Sequence, residues 1–166
     1  MKAQIGISVV RKEAWDKVTG AAKYVADLCD APLLHAKLCV SPHAHAEILE
    51  IDTAKARNMA GVKAVITGKD CPVLTGELLQ DRYALARDRV RYFGEPVAVV
   101  VAEEEGQAKA AAREIKVVYK PLPAVLCLRE ALRKNSVLVH ENVASYTKTI
   151  PELYPKARSN IAHVKK

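Results

Sequence analysis

"RVRYFGEPVAVVVAEE", Arg89 to Glu104, contains the strongest strand signal in the chain. From Val97 to Val101 every residue except Ala98 is β-branched. Such an unbroken apolar run fits a strand covered on both faces. Gly94 and Pro96 predict a kink, bulge or tight connection immediately before it. Directly after it, Glu103, Glu104 and Glu105 complement the positive end of a helix. Ala108, Ala111, Ala112 and Ile115 then recur at i, i+3, i+4 and i+7, a small-residue face that lets the helix sit close on the sheet.

Working outward, the segment to Lys17 reads as irregular, with Gly20 a turn point before a short extended piece around Lys23 to Ala26. "LLHAKLCV" (Leu33 to Val40) reads as a strand ended by Ser41-Pro42. In "AEILEID" (Ala46 to Asp52) alternation puts Ile48 and Glu50 on one face and Glu47, Leu49 and Ile51 on the other. Asp52 and Thr53 offer capping oxygens to a helix of about two turns, and Gly61 suits its left-handed C-terminal cap. "VKAVITG" returns as a strand with Val62, Ala64 and Ile66 on one face, and Lys69 to Arg87 reads as a loop. "IKVVY" is a further strand stopped by Pro121 and Pro123, and "LREALRKN" a last short helix. The order lacks a regular βα alternation, so the expected class is α+β, a mixed sheet with one longer and one or two short helices.

Half of the 166 residues are hydrophobic and 27% are charged, which suits a folded domain. No apolar run approaches the ~20 residues of a membrane-spanning helix. The opening residues lack the apolar core and cleavage site of a secretory signal. Cys29, Cys39, Cys71 and Cys127 form no C-x-x-C pair, the pattern of reduced thiols in a cytoplasmic protein. The net charge of +7 is uneven: Lys148 to Lys166 carries five basic residues against Glu152, leaving only +3 for the rest. With few aromatics to interleave, this is solvated surface charge and no nucleic-acid partner is expected.

His43 and His45 share one face of an extended segment, as zinc ligands could, with His35, Cys39 and Cys71 as further donors by type only. H-x-H beside a proline turn needs no metal. The expectation is that one histidine packs or hydrogen-bonds at the turn while the other faces water. Glu103 to Glu105 read as helix-dipole partners, and nothing pairs a cysteine with an activating base by spacing. No two of the seven glycines are closer than seven positions, so no phosphate cradle is present. The expected catalytic, cofactor-binding and metal-ligating sets are therefore all empty.

The order of short motifs says more than any single residue. "IGISVVRKEAWDKVTGAAKYVADL", "LHAKLCVSPHAHAEILEIDTAKARNMAGVKAVITGKDCP", "DRVRYFGEPVAVVVAEE", "IKVVYKPLPAV" and "VHE" follow one another in the chain. From about Ile5 to Val164 this resembles the N-terminal α/β-hammerhead domain of the molybdenum-binding large subunit of xanthine dehydrogenases and aldehyde oxidases. The resemblance implies an oxidoreductase in which a molybdopterin cofactor hydroxylates heterocycles or aldehydes. Electrons would leave through iron–sulfur clusters and FAD on partner domains or subunits. The family's cofactor-binding segments and glutamate base follow the hammerhead domain, so none of them has a matching position here. Lys120 stands where the family often has an acid.

The expected organisation is a hammerhead domain at 1–144 and a linker at 145–166 leading toward a cofactor-binding domain, packed loosely along a neighbour. The expected role is structural, a non-catalytic piece of a molybdenum hydroxylase. Its expected partners are the remaining domains of the large subunit and iron–sulfur and flavin domains or subunits. Two alternatives differ in class: an independent small basic binding protein that reuses the fold, and a metalloenzyme using His43 and His45.

Overall fold

The β-branched run at 97–101 lies at the centre of a sheet, and the other elements are placed around it. In the computed structural model of this chain, residues 5–28, 32–77, 79–150 and 158–161 are described. They fall into two units, Met1–Leu33 and Leu34–Lys166.

In the first unit, helix α1 covers Ala14–Thr19, where the sequence reads as irregular. One turn and a half is too short to show a 3.6-residue period. The helix stops at Gly20, which has φ 74° and closes onto the Lys17 carbonyl. The extended piece expected at Lys23 to Ala26 is instead a 3-10 turn, Val25–Asp27. Asp27 Oδ2 accepts the Tyr24 N–H at 2.9 Å, a local bond that competes with extended backbone.

The second unit runs β1 (His35–Val40), β2 (Ala46–Asp52), α2 (Ala54–Arg57), β3 (Val62–Thr67), β4 (Leu74–Thr75), β5 (Arg82–Tyr83), β6 (Arg89–Val90), β7 (Pro96–Ala102), α3 (Glu105–Glu114), β8 (Lys116–Pro121) and α4 (Leu128–Ala131). The strands form three sheets, β1-β7-β3, β6-β2-β8 and β4-β5. Every named pair is antiparallel, so the mixed sheet within the α+β expectation resolves into small antiparallel ones. β4 and β5 lie in the stretch expected to be loop; two-residue strands carry no readable alternation.

β7 is the central strand, and α3 packs against β1 and β7. Ala108 and Ala111 of α3 are fully buried, and Ala111 and Ile115 cluster with Ala98 and Val100 of β7. At the helix start, Gln107 Oε1 accepts the Glu104 N–H at 3.1 Å. Gly61 does not cap α2, which ends at Asn58. It turns the chain into β3 at φ 78°, and a Cβ there would collide with the Gln107 side-chain amide. The backbone conformation requires glycine at this turn, and a Cβ would also displace the Gln107 amide from the Glu104 N–H.

Two expected faces are altered by bulges. The β2–β8 register shifts between Ile48 and Glu50, which turns Leu49 out to solvent. Ile48 and Ile51, expected on opposite faces, both pack against the core. In β3 the buried residues are Val65 and Thr67, while Ala64 and Ile66 lie on the other face, half-exposed.

The described part of the expected linker is fastened to the body. Gln80 N–H donates to the Thr147 carbonyl at 3.0 Å, and Leu79 and Lys148 form a bridge. Asn160 accepts the Val139 N–H at 2.9 Å and donates to the Val137 carbonyl at 2.8 Å. Residues 151–157 and 162–166, most of the expected linker, lie outside the described residues.

Candidate functional site

The two histidines sit where the chain crosses from one sheet to another. β1 belongs to β7's sheet and β2 to β8's, so residues 41–45 are the crossing. Ser41 is buried; its N–H donates to the Glu95 carbonyl and its carbonyl accepts the Gly94 N–H. Ser41 Oγ accepts the His43 N–H at 3.0 Å and shapes the turn. His45 is almost fully buried, with Nδ1 2.6 Å from the Pro123 carbonyl. His43 is half-buried, its ring edge-on to Tyr119 at 5.0 Å rather than facing water. Both imidazoles thus have structural partners at the seam between two sheets.

The other donor types are scattered. Cys39 packs in the core, where burial pushes its thiol pKa up and keeps it protonated. Cys71 is half-buried and Cys127 exposed, both free; Cys29 lies outside the described residues. His35 is exposed in β1. Glu103 pairs with Lys63 at 2.6 Å, and Glu105 with Lys109 one turn along α3. Among the described residues no group of three or more His, Cys, Asp or Glu could hold a metal ion. Lys120 pairs with Glu47, its cross-strand partner, at 3.4 Å, which gives that position a local role.

What the fold does present is apolar surface. The core is built from small side chains; the largest fully buried ones are Val90, Val97, Val100 and Ser41. Large apolar groups remain outside, the reverse of the usual partition. On β1-β7-β3, α3 covers the face carrying Ala98 and Val100. On the opposite face the register aligns Leu38, Val99 and Ile66 in one row and Ala36, Val101 and Ala64 in the next. None of these six is fully buried, and Leu38 is 49% exposed. The sequence expectation of a strand covered on both faces is met on the α3 side and at Val97, which is fully buried beside Ala46, Ala86 and Val90, whereas Val99 and Val101 are only half-buried. An apolar sheet face of this kind marks an interaction surface.

Two clefts open beside the crossing. One, about 260 Å³, is lined by Phe93, Val125, Leu126, Val137 and the rim of His45. The other, about 220 Å³, is lined by Asp81, Arg82, Arg89, Glu95 and His140. Glu95 is 7% exposed and accepts the Arg91 N–H; burial pushes its carboxyl pKa above the ordinary value. His140 lies 3.4 Å from Asp81 and 3.2 Å from the Tyr146 hydroxyl, and burial, reinforced by Arg91, holds its pKa below normal. Sequence reasoning missed both clefts, since their linings come from segments far apart in the chain.

Comparison with known proteins gives the same architecture a family. Residues 19–123 match the family model for the a/b hammerhead domain of aldehyde oxidase and xanthine dehydrogenase. Over 137 residues the chain is 43% identical to a probable xanthine dehydrogenase component of Bacillus subtilis, covering 81% of this chain and 18% of that protein. It is 31% identical over 138 residues to the nicotinate dehydrogenase large molybdopterin subunit of Eubacterium barkeri, covering 82% of this chain and 32% of that one. Among solved structures, quinoline 2-oxidoreductase from Pseudomonas putida 86 superposes with a TM-score of 0.72 at 37% identity, over 84% of this chain and 19% of that one. The chain spans less than a third of the length of each of these proteins. The sheets, helix α3 and the sheet crossing are those of a hammerhead domain, and the chain belongs to the aldehyde oxidase and xanthine dehydrogenase family.

Proposed function

We propose that this chain is the N-terminal structural domain of the large subunit of a molybdenum hydroxylase, an oxidoreductase of the xanthine dehydrogenase type, and that it is not catalytic alone. The observation carrying this reading is the half-exposed apolar face of β1-β7-β3. β7 is apolar on both sides, as strands buried between two layers are, yet opposite α3 this chain leaves Val99 and Val101 only half-buried. The second layer belongs to the rest of the large subunit. In the same reading, domain 1–144 leads through 145–166 to the cofactor-binding region, and the complete enzyme is cytoplasmic.

The residues present do not fit a molybdopterin. The described clefts, about 260 and 220 Å³, fall short of the ~300–1,000 Å³ of a ligand pocket, and neither gathers ligand side chains for a metal. The glycines form no backbone cradle, and no cluster of ligand side chains stands among the described residues. Molybdopterin, iron–sulfur clusters and FAD are accordingly assigned to the remaining domains or subunits, with no residue of this chain touching the reacting atoms. Nucleic acid is not assigned as a partner, because many basic side chains are spent on local pairs such as Lys55–Glu114 and Lys63–Glu103.

The test is co-expression in a molybdopterin-making host, with the tagged chain alone or beside the remainder of the Bacillus subtilis relative. The expected result is co-purification with that remainder. The chain alone should contain no stoichiometric molybdenum and should not oxidise purines or aldehydes with a dye acceptor. Turnover with stoichiometric molybdenum in the 166 residues alone would overturn the reading. Failure to associate would leave the independent binding protein in its place.

A further inference from the structure

We infer that the apolar cleft at Phe93 and the basic cleft beside it form one groove, which holds an extended segment of the remaining large-subunit chain bearing a large apolar side chain and a carboxylate. This rests on the domain reading above and specifies one of its contacts. The clefts adjoin, because Arg91, Tyr92 and Val139 line both. Each is below the size of a small-molecule pocket, and each suits one or two side chains.

At the apolar end, Phe93 and Leu126 are 74% and 76% exposed beside an unfilled cleft. Filling it with one apolar anchor removes all three surfaces from water, the arrangement of an interface hot spot. At the other end the accessible charge is positive. Arg82 has no carboxylate closer than Asp81 at 4.0 Å, and Arg91 has no ion pair within 4.0 Å among the described residues. Arg91 uses Nε on the Val139 carbonyl, leaving its other donors for a ligand. The acids in the same cleft are less accessible: the Asp81 side chain is 21% exposed against 64% for Arg82, and Glu95 is buried on the Arg91 N–H. Arg89 is held by Glu141. An incoming carboxylate matches this end, with the bidentate geometry arginine favours. A second copy of the chain does not, since two molecules of net charge +7 repel.

The probes are overlapping peptides of about 15 residues tiling the Bacillus subtilis relative outside the matched region, each dye-labelled and titrated with the folded 166-residue chain. At least one peptide pairing a large apolar residue with a nearby acid is expected to bind. Phe93→Ser and Arg82→Glu, both at exposed side chains, should each weaken it roughly tenfold or more with melting midpoints unchanged. The Arg82 contribution should fade at high salt. No binding peptide, or binding indifferent to both substitutions, would overturn the groove. So would a dimer of the chain that Phe93→Ser dissociates, because a second copy would then be the occupant. If the remainder of the relative co-purifies equally with wild type and both variants, the groove fails while the domain reading stands. If it does not co-purify with wild type, the domain reading itself fails.

Discussion

His45 Nδ1 sits 2.6 Å from the carbonyl oxygen of Pro123, 78 positions further along the chain. The bond fastens the sheet crossing at 41–45 to the segment leaving β8, and the Leu122 N–H donates back to the His45 carbonyl at 3.0 Å. The first prediction follows from it. His45→Ala should destabilise the fold by about 1–3 kcal/mol by removing an almost fully buried imidazole together with its bond to the Pro123 carbonyl. Elemental analysis of wild type and a His43→Ala/His45→Ala variant should show no stoichiometric zinc in either; one zinc per wild-type chain, lost in the double variant, would make the pair ligands after all.

A second prediction concerns the contact between α3 and the central sheet. Ala111 has no exposed surface and clusters with Ala98 and Val100. Ala111→Leu should overpack this interface and lower stability by about 1–3 kcal/mol. Urea unfolding measures it, and an unchanged midpoint would mean that the helix is not seated as described.

Glu95 gives a prediction with a definite pH sign. Its folded pKa is raised by burial. The associated stability is therefore fully present below the unfolded carboxyl value of about 4.3 and is lost as pH rises through the folded value. Glu95→Gln keeps an acceptor for the Arg91 N–H without the buried charge. The variant should melt higher than wild type at about pH 8, with the difference closing near roughly pH 4. A lower midpoint under the alkaline condition would show that the charge is favourable in place.

Asn160 tests how the end of the described chain is held. Its side chain bonds Val139 N–H and the Val137 carbonyl, and lies 3.3 Å from Ser136 Oγ. Asn160→Ala should cost about 1–3 kcal/mol and speed amide exchange at Val139, with exchange in β7 little changed. Equal protection of Val139 in both proteins would mean that the segment is held by other contacts.

Local signals in the sequence suffice for the elements that carry them, and the order of those elements implies the family. The β-branched run at 97–101, the alanine face of α3, the turn at Ser41-Pro42 and the short helix after Cys127 all stand in the structure. The motif order alone implies the hammerhead domain, and the family match agrees. How these pieces pair rests on contacts that no local signal carries. β1 and β2, neighbours in sequence, lie in different sheets. A bulge at Leu49 sends that leucine to solvent and brings Ile48 and Ile51 onto the core. His45 finds Pro123, and Arg82, Arg91 and Phe93 come to line two adjoining clefts. The reason is physical: periodicity reports which residues avoid water along a few turns or alternations, whereas register, bulges and clefts depend on partners far away in the chain. For the same reason, the apolar outer side of β7 is legible as a need for cover, and the fold leaves Val99 and Val101 only half-buried there.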